Sequence, residues 1–176
     1  MILVPIDKHN IKFSLYSDPC TWCFFDHDST QGCLDALYEV GCNGKSVLEI
    51  GCGAGILDIY ASKLGATHIT AVDVLPGSLG LTLINCNLNE VEINLKWAND
   101  TIIEKYDIIL MNIDKENAIT YFNKLKLLTN PNGKIIMTFP NRKDLERELG
   151  KLDTNLKIIS ENNLPNYKTF VLEVDD

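Results

Sequence analysis

The chain has 176 residues, 45% hydrophobic and 23% charged, which is ordinary globular composition and material for one core; it is read as a single domain over residues 1–176. The 24 acidic residues outnumber the 16 basic ones for a formal net charge of −8, and the basic residues are scattered, which argues against a groove for nucleic acid. No stretch approaches the ~18 apolar residues of a membrane span and none has the pattern of a secretion signal, so no membrane partner and a cytoplasmic location are expected.

At the start of the chain, Ile11, Phe13 and Leu15 alternate with Lys12, Ser14 and Tyr16, which predicts a short hairpin over residues 1–16 at a sheet edge. Cys20, Cys23, His27 and Cys33 follow at a spacing that three thiolates and an imidazole around zinc would tolerate. The alternative is that these cysteines are small apolar fillers, and reduced thiols are expected for all 6 in the chain. Residues 28–40 are predicted as a helix with Cys33, Leu34, Leu37 and Tyr38 on one face, stopped by Gly41-Cys42-Asn43-Gly44.

From Lys45 onward, short β-branched runs alternate with stretches of helical spacing, the pattern of repeated strand and helix units in a parallel sheet. Strands are predicted at 46–50, 68–73, 92–97, 106–112 and 134–139. Helices are predicted at 55–64, at 77–87 behind Pro76, at 117–128 and at 144–152, with a turn at 130–133. Two last strands, 156–160 and 169–174, are joined through residues 162–166. A parallel crossover needs about a dozen residues, so this pair is expected to be antiparallel. The fold class is therefore α/β: a Rossmann-like, doubly wound, mostly parallel seven-stranded sheet with an antiparallel C-terminal strand.

The first strand of such a sheet runs into Gly51, Gly53 and Gly55, which let the chain turn sharply and bring bare backbone against a ligand at the start of the next helix. A plain tight turn would explain the glycines alone. Asp73, closing the second strand, adds a carboxylate suited to the two hydroxyls of a ribose. Glu49 can order the loop and offset a positive ligand group, or be a strand-end carboxylate satisfied by backbone. A dinucleotide loop requires glycine where this chain has Ile56, so a ligand without pyrophosphate fits better.

Residues 47–57, Val-Leu-Glu-Ile-Gly-Cys-Gly-Ala-Gly-Ile-Leu, closely resemble the cofactor motif of class I S-adenosylmethionine-dependent methyltransferases. Asp18-Pro19, His27-Asp28-Ser29-Thr30, Lys63-Leu64-Gly65-Ala66 and Met111-Asn112-Ile113 extend the resemblance to PrmA-type ribosomal-protein lysine methyltransferases over roughly residues 18–140. The resemblance implies S-adenosyl-L-methionine as cofactor and methylation of an amine on a protein or small molecule. It implies cofactor contacts from Thr30, Gly51, Asp73 and Asn112, with Glu49, Gly53, Val74 and Asn99 completing the candidate set, and no metal. Thr30 could instead cap its helix, and Asn112 is the candidate catalytic residue, orienting the incoming amine.

The chain departs from that family in its Cys20-Thr21-Trp22-Cys23-Phe24-Phe25-Asp26 segment, where the family has a glycine-rich loop, and Trp22, Phe24 and Phe25 are candidates for an acceptor lid or for core aromatics. The substrate-recruiting domain that precedes the family's catalytic part is expected to be missing, which leaves open a cofactor-binding subunit that needs a partner.

Overall fold

A computed structural model describes residues 2–17, 24–140 and 156–174; the helix expected at 144–152 lies outside these residues. The sheet grows outward from β3, Ser46–Ile50, whose Val47, Leu48 and Ile50 are buried because both faces of the strand are covered. β4, His68–Asp73, pairs parallel to it on one side and β6, Tyr106–Met111, on the other. β5, Asn94–Trp97, flanks β4, while β7, Thr129–Pro140, flanks β6. The last two strands are β8, Leu156–Asn163, and β9, Tyr167–Val174, and the full order is β5-β4-β3-β6-β7-β9-β8.

β9 is antiparallel to both β7 and β8, as the short loop before it requires, so it is the reversed strand of an otherwise parallel sheet. The turn expected at 130–133 lies within β7, because Thr129 already pairs with Tyr106 and the register shifts before Ile108 pairs with Lys134. Asn132 still adopts the left-handed conformation of a turn, with φ 59°.

Strand alternation divides the core into two layers. Val47, Ile69, Ile108, Leu110, Ile136 and Val171 pack under the helices α1, Asp28–Val40, and α2, Ile56–Lys63, and reach Cys86 of α3, Pro76–Leu88. Leu48, Ile50, Ile109, Met111, Ile135 and Met137 pack on the other face with Ala118 and Leu125 of α4, Lys115–Leu128. α1 crosses β9 so closely that a Cβ on Gly32 would collide with Thr169 Oγ1, which explains a glycine inside a helix.

The N-terminal hairpin, β1 at Ile2–Lys8 and β2 at Ile11–Ser17, turns through His9 and Asn10 with φ of 54° and 65°, the two-residue geometry that matches strand twist. It forms a separate two-stranded sheet, which corrects the expectation of an edge position. Ile6, Phe13 and Leu15 bury themselves in the helical layer. The free backbone edge of β2 is met by side chains of α3: Asn85 Oδ1 accepts from Tyr16 N–H at 2.7 Å while its Nδ2 donates to the Tyr16 carbonyl at 3.1 Å. Asn89 repeats the pattern one turn later on Ser14, at 3.1 and 2.7 Å. Two amides spaced four residues apart thus stand in for a third strand.

The hairpin tip is held by His9, whose Nε2 lies 3.0 Å from Asp35 and whose Nδ1 lies 2.6 Å from the Tyr60 hydroxyl. Tyr38, expected on the buried face of α1, is half exposed and stacks on the His9 ring at 4.2 Å. Asn85 is fully buried and its Nδ2 also donates to the Ala54 carbonyl at 2.9 Å. Asn85→Leu strands these backbone groups and is expected to cost about 2–4 kcal/mol in a urea unfolding titration.

Candidate functional site

After β3 the chain runs to α2 through Gly51, Gly53 and Gly55, with φ of 86°, 57° and 77°. The turn is fixed against the neighbouring strand: the N–H groups of Gly51 and Cys52 both donate to the Val72 carbonyl, at 2.7 and 3.1 Å. At Gly51 the positive φ excludes most side chains, and a Cβ would also collide with Ile113 Cγ2. From α3, Thr82 Oγ1 donates to the Gly53 carbonyl at 3.1 Å. Because β4 and β6 lie on opposite sides of β3, this turn opens at the point where strand order reverses, beyond the carboxyl ends of the strands.

Asp73 closes β4 beside the turn and is 8% exposed. Its Oδ2 accepts from Gly53 N–H at 3.0 Å and its Oδ1 from Leu75 N–H at 2.8 Å, so the carboxylate ties the two loops together. A carboxylate oxygen accepts about two hydrogen bonds, which leaves each of these with capacity toward the crevice. Val74, next along the chain, is exposed. Asn99 sits in an exposed turn closed by Asp100 N–H on the Trp97 carbonyl at 2.8 Å, and this turn is joined to β4 by Ala98 N–H on the Asp73 carbonyl at 3.1 Å.

Across the crevice, Asn112 directly follows β6 and its Nδ2 reaches Thr30 Oγ1 at 3.5 Å, the outer limit for a hydrogen bond. Thr30 is buried in the first turn of α1, but the cap of that helix is His27, whose Nδ1 meets the Ser29 N–H at 3.4 Å and its hydroxyl at 2.7 Å. The capping alternative for Thr30 is therefore set aside. Thr30, Gly51 and Asn112 converge at the reversal point, with Gly53, Asp73 and Val74 along the β4 side.

Glu49 lies beneath the turn on the α2 face of β3, 2% exposed. The residue that sequence reasoning missed is Asp58, in the first turn of α2 and fully buried, with neither carboxyl oxygen hydrogen-bonded among the described residues. Its signal is visible in hindsight: one carboxylate interrupts the apolar run Ile56, Leu57, Ile59 and Tyr60. Ile56 is itself buried in the core, which accounts for a branched residue where a dinucleotide loop would need glycine.

Of the cysteine and histidine cluster, Cys20 and Cys23 lie outside the described residues, and no group of three or more metal-ligating side chains occurs among those described. Cys33 is a core residue whose thiol burial pushes up to about 12, and Cys42, Cys52 and Cys86 are likewise buried and unpaired by disulfides. Trp22 falls outside the described residues. Phe24 is half exposed, whereas Phe25 packs against the core and so follows the core alternative. Asp114 is exposed and precedes α4, its carbonyl accepting from Ala118 N–H at 2.9 Å, which is a helix-start position.

The fold is that of class I methyltransferases. It superposes on a ribosomal protein L11 methylase from Lactobacillus delbrueckii subsp. bulgaricus with a TM-score of 0.76 at 23% identity, covering 87% of this chain and 81% of that one. A Thermus thermophilus 16S rRNA N2 G1207 methyltransferase, solved with AdoMet and guanosine, gives 0.84 at 16% identity over 99% of this chain and 50% of that one. Residues 25–138 match the model of the ribosomal protein L11 methyltransferase (PrmA) family, and the chain belongs to that family. Relatives named ribosomal protein L11 methyltransferase include those of Campylobacter concisus, 33% identical over 114 residues, and Caldicellulosiruptor saccharolyticus, 39% identical over 103. The alignments cover 64% and 57% of this chain but only 41% and 34% of those relatives, so the chain spans less than half of their length.

Removing the carboxylate that joins the two loops should be felt without any ligand. Asp73→Ala is expected to lower stability by about 2–4 kcal/mol, the loss of two hydrogen bonds to a charged acceptor, in a chemical denaturation experiment. Asp73→Asn keeps one acceptor and should lose less.

Proposed function

We propose that this chain is an S-adenosylmethionine-dependent methyltransferase domain that transfers a methyl group to an amine nitrogen, a protein lysine being the favoured acceptor. The observation that carries this reading is the placement of the fixed glycine turn, Asp73, Thr30 and Asn112 together at the strand-order reversal. The residues present suit the cofactor: Asp73 has acceptor capacity for ribose hydroxyls, and Val74 offers exposed apolar surface for the base, with Asn99 in the adjoining turn. Buried Glu49 supplies negative potential under the turn for the positive amino-acid end.

When bound, the cofactor supplies an electrophilic methyl group on a sulfonium. Asn112 accepts a hydrogen bond from the amine and aims its lone pair along the line of displacement, while Thr30 holds the Asn112 amide. The amine proton is lost to solvent or to the exposed carboxylate of Asp114. Holding nucleophile and electrophile in line is the main source of rate, so no dedicated base is required. A protein acceptor agrees with the names of the relatives, and the net charge of −8 disfavours RNA as the acceptor.

A second reading, in which the domain binds cofactor but methylates only with a partner, is favoured by the Cys20-Thr21-Trp22-Cys23-Phe24-Phe25-Asp26 segment that stands in place of the family's glycine-rich loop. S-adenosylhomocysteine should raise the melting temperature where NAD does not; the reverse would overturn the cofactor assignment. Asn112→Ala is expected to lower kcat on lysine-bearing peptides on the order of 10- to 100-fold, a larger loss than its loss of S-adenosylhomocysteine affinity. Tight binding with no turnover on any peptide, restored by a lysate fraction, would select the partner-dependent reading.

A further inference from the structure

A helix on the surface of a globular domain ordinarily has one apolar face and one charged face, and a helix that is apolar all round belongs inside an assembly. α3 is of the second kind. Residues 74–89, which contain the whole of it, form the longest run without a charged side chain in a chain that is 23% charged. Its inner face is committed: Leu79, Leu81 and Cys86 are buried, and Thr82 and Asn85 hold the glycine turn. Its outer face carries Leu83, Ile84 and Leu88, which are 45, 42 and 40% exposed. Gly77 and Gly80 are exposed as well, and a Cβ added to either would meet nothing within 4 Å among the described residues. Gly77, Gly80, Ile84 and Leu88 follow one another at steps of three and four, so they form one stripe, flat in its N-terminal half and bulky in its C-terminal half.

We propose that this face is the contact through which two copies of the chain pair, α3 against α3 in antiparallel sense about a two-fold axis.

The stripe is complementary to itself. Turned end for end about residue 82, it sets Ile84 of one copy on Gly80 of the other and Leu88 on Pro76, so the bulky half of each helix meets the flat half of its counterpart. Charge selects the same partner. Each copy has a net charge of −8, so two copies repel wherever acidic surface meets acidic surface, and α3 presents a face without that repulsion. At its C-terminal end a groove of about 580 Å³ opens between Leu88 and the hairpin residues Pro5, Asp7 and Lys12. The charges at this margin are of opposite sign, with Lys12 Nζ 3.8 Å from Asp7. The antiparallel crossing brings Pro76 and exposed Leu75 of the second copy toward the groove, extending the contact beyond the helix pair toward the ~800 Å² per partner of a stable interface. A lipid surface suits this face poorly, because α3 has 13 residues, too few to span a bilayer, and lacks the Lys and Arg of an interfacial helix.

Sedimentation equilibrium of the chain at micromolar concentration should find a dimer. Ile84→Lys and Gly80→Glu each put a charge into the contact at a position exposed in the single copy. Each should weaken self-association on the order of a hundred-fold while the circular dichroism spectrum is unchanged. Mixed in equal amounts, the two variants should recover much of the lost association. The antiparallel register sets the new lysine of one beside the new glutamate of the other and leaves the second contact of Gly80 with Ile84 as in the wild type. A wild-type chain that sediments as a monomer, whether or not it binds lipid vesicles or another protein, would overturn the proposal. A dimer that survives both substitutions would overturn it too, and a mixture that stays monomeric would overturn the antiparallel register.

Discussion

The site depends on one backbone constraint: two successive N–H groups, of Gly51 and Cys52, share the carbonyl of Val72 at the end of β4. That bifurcated anchor forces the chain leaving β3 to turn at once toward the neighbouring strand, which requires the positive φ of Gly51. Everything around the turn reinforces it. Asp73 clamps Gly53 from the same strand end, Thr82 holds the Gly53 carbonyl, and Asn85 holds the Ala54 carbonyl while pinning the hairpin with its remaining atoms. The hairpin, α3 and the glycine turn are therefore joined through a single buried amide, linking the N-terminal segment to the geometry of the crevice.

The strands of the central sheet were legible because β-branched and apolar runs such as Val47-Leu48 and Ile108-Ile109-Leu110 are buried on both faces, and that pattern has few other solutions. The reversal of β9 followed from loop length alone. The hairpin was legible as a hairpin but not in its place, since alternation reports which residues face inward and is silent on what covers the strand edge. Its docking is done by Asn85 and Asn89, polar residues that in a sequence look like surface positions of a helix.

The site shows the same division. Gly51, Asp73 and Asn112 stood out as candidates because each lies at or directly after the end of a strand, and Gly53 because it belongs to the glycine turn that follows. The cap at His27 was not, because a neighbouring threonine is the commoner capping residue and only geometry separates the two. Asp58 was absorbed into an apolar helix, and its importance lies in facing Glu49 across the layer, a relation between residues nine apart that no local pattern encodes. Its burial puts a second acid beneath the glycine turn, in the same layer as Glu49.

The central claim is that the crevice at the strand-order reversal, and no other surface, receives the cofactor. Hydrogen–deuterium exchange with and without S-adenosylhomocysteine tests it most directly. The account expects added protection in residues 51–55, 73–75 and 112–113 on both walls of the crevice. Protection confined to the hairpin or to the β8–β9 end, with those three segments unchanged, would contradict it.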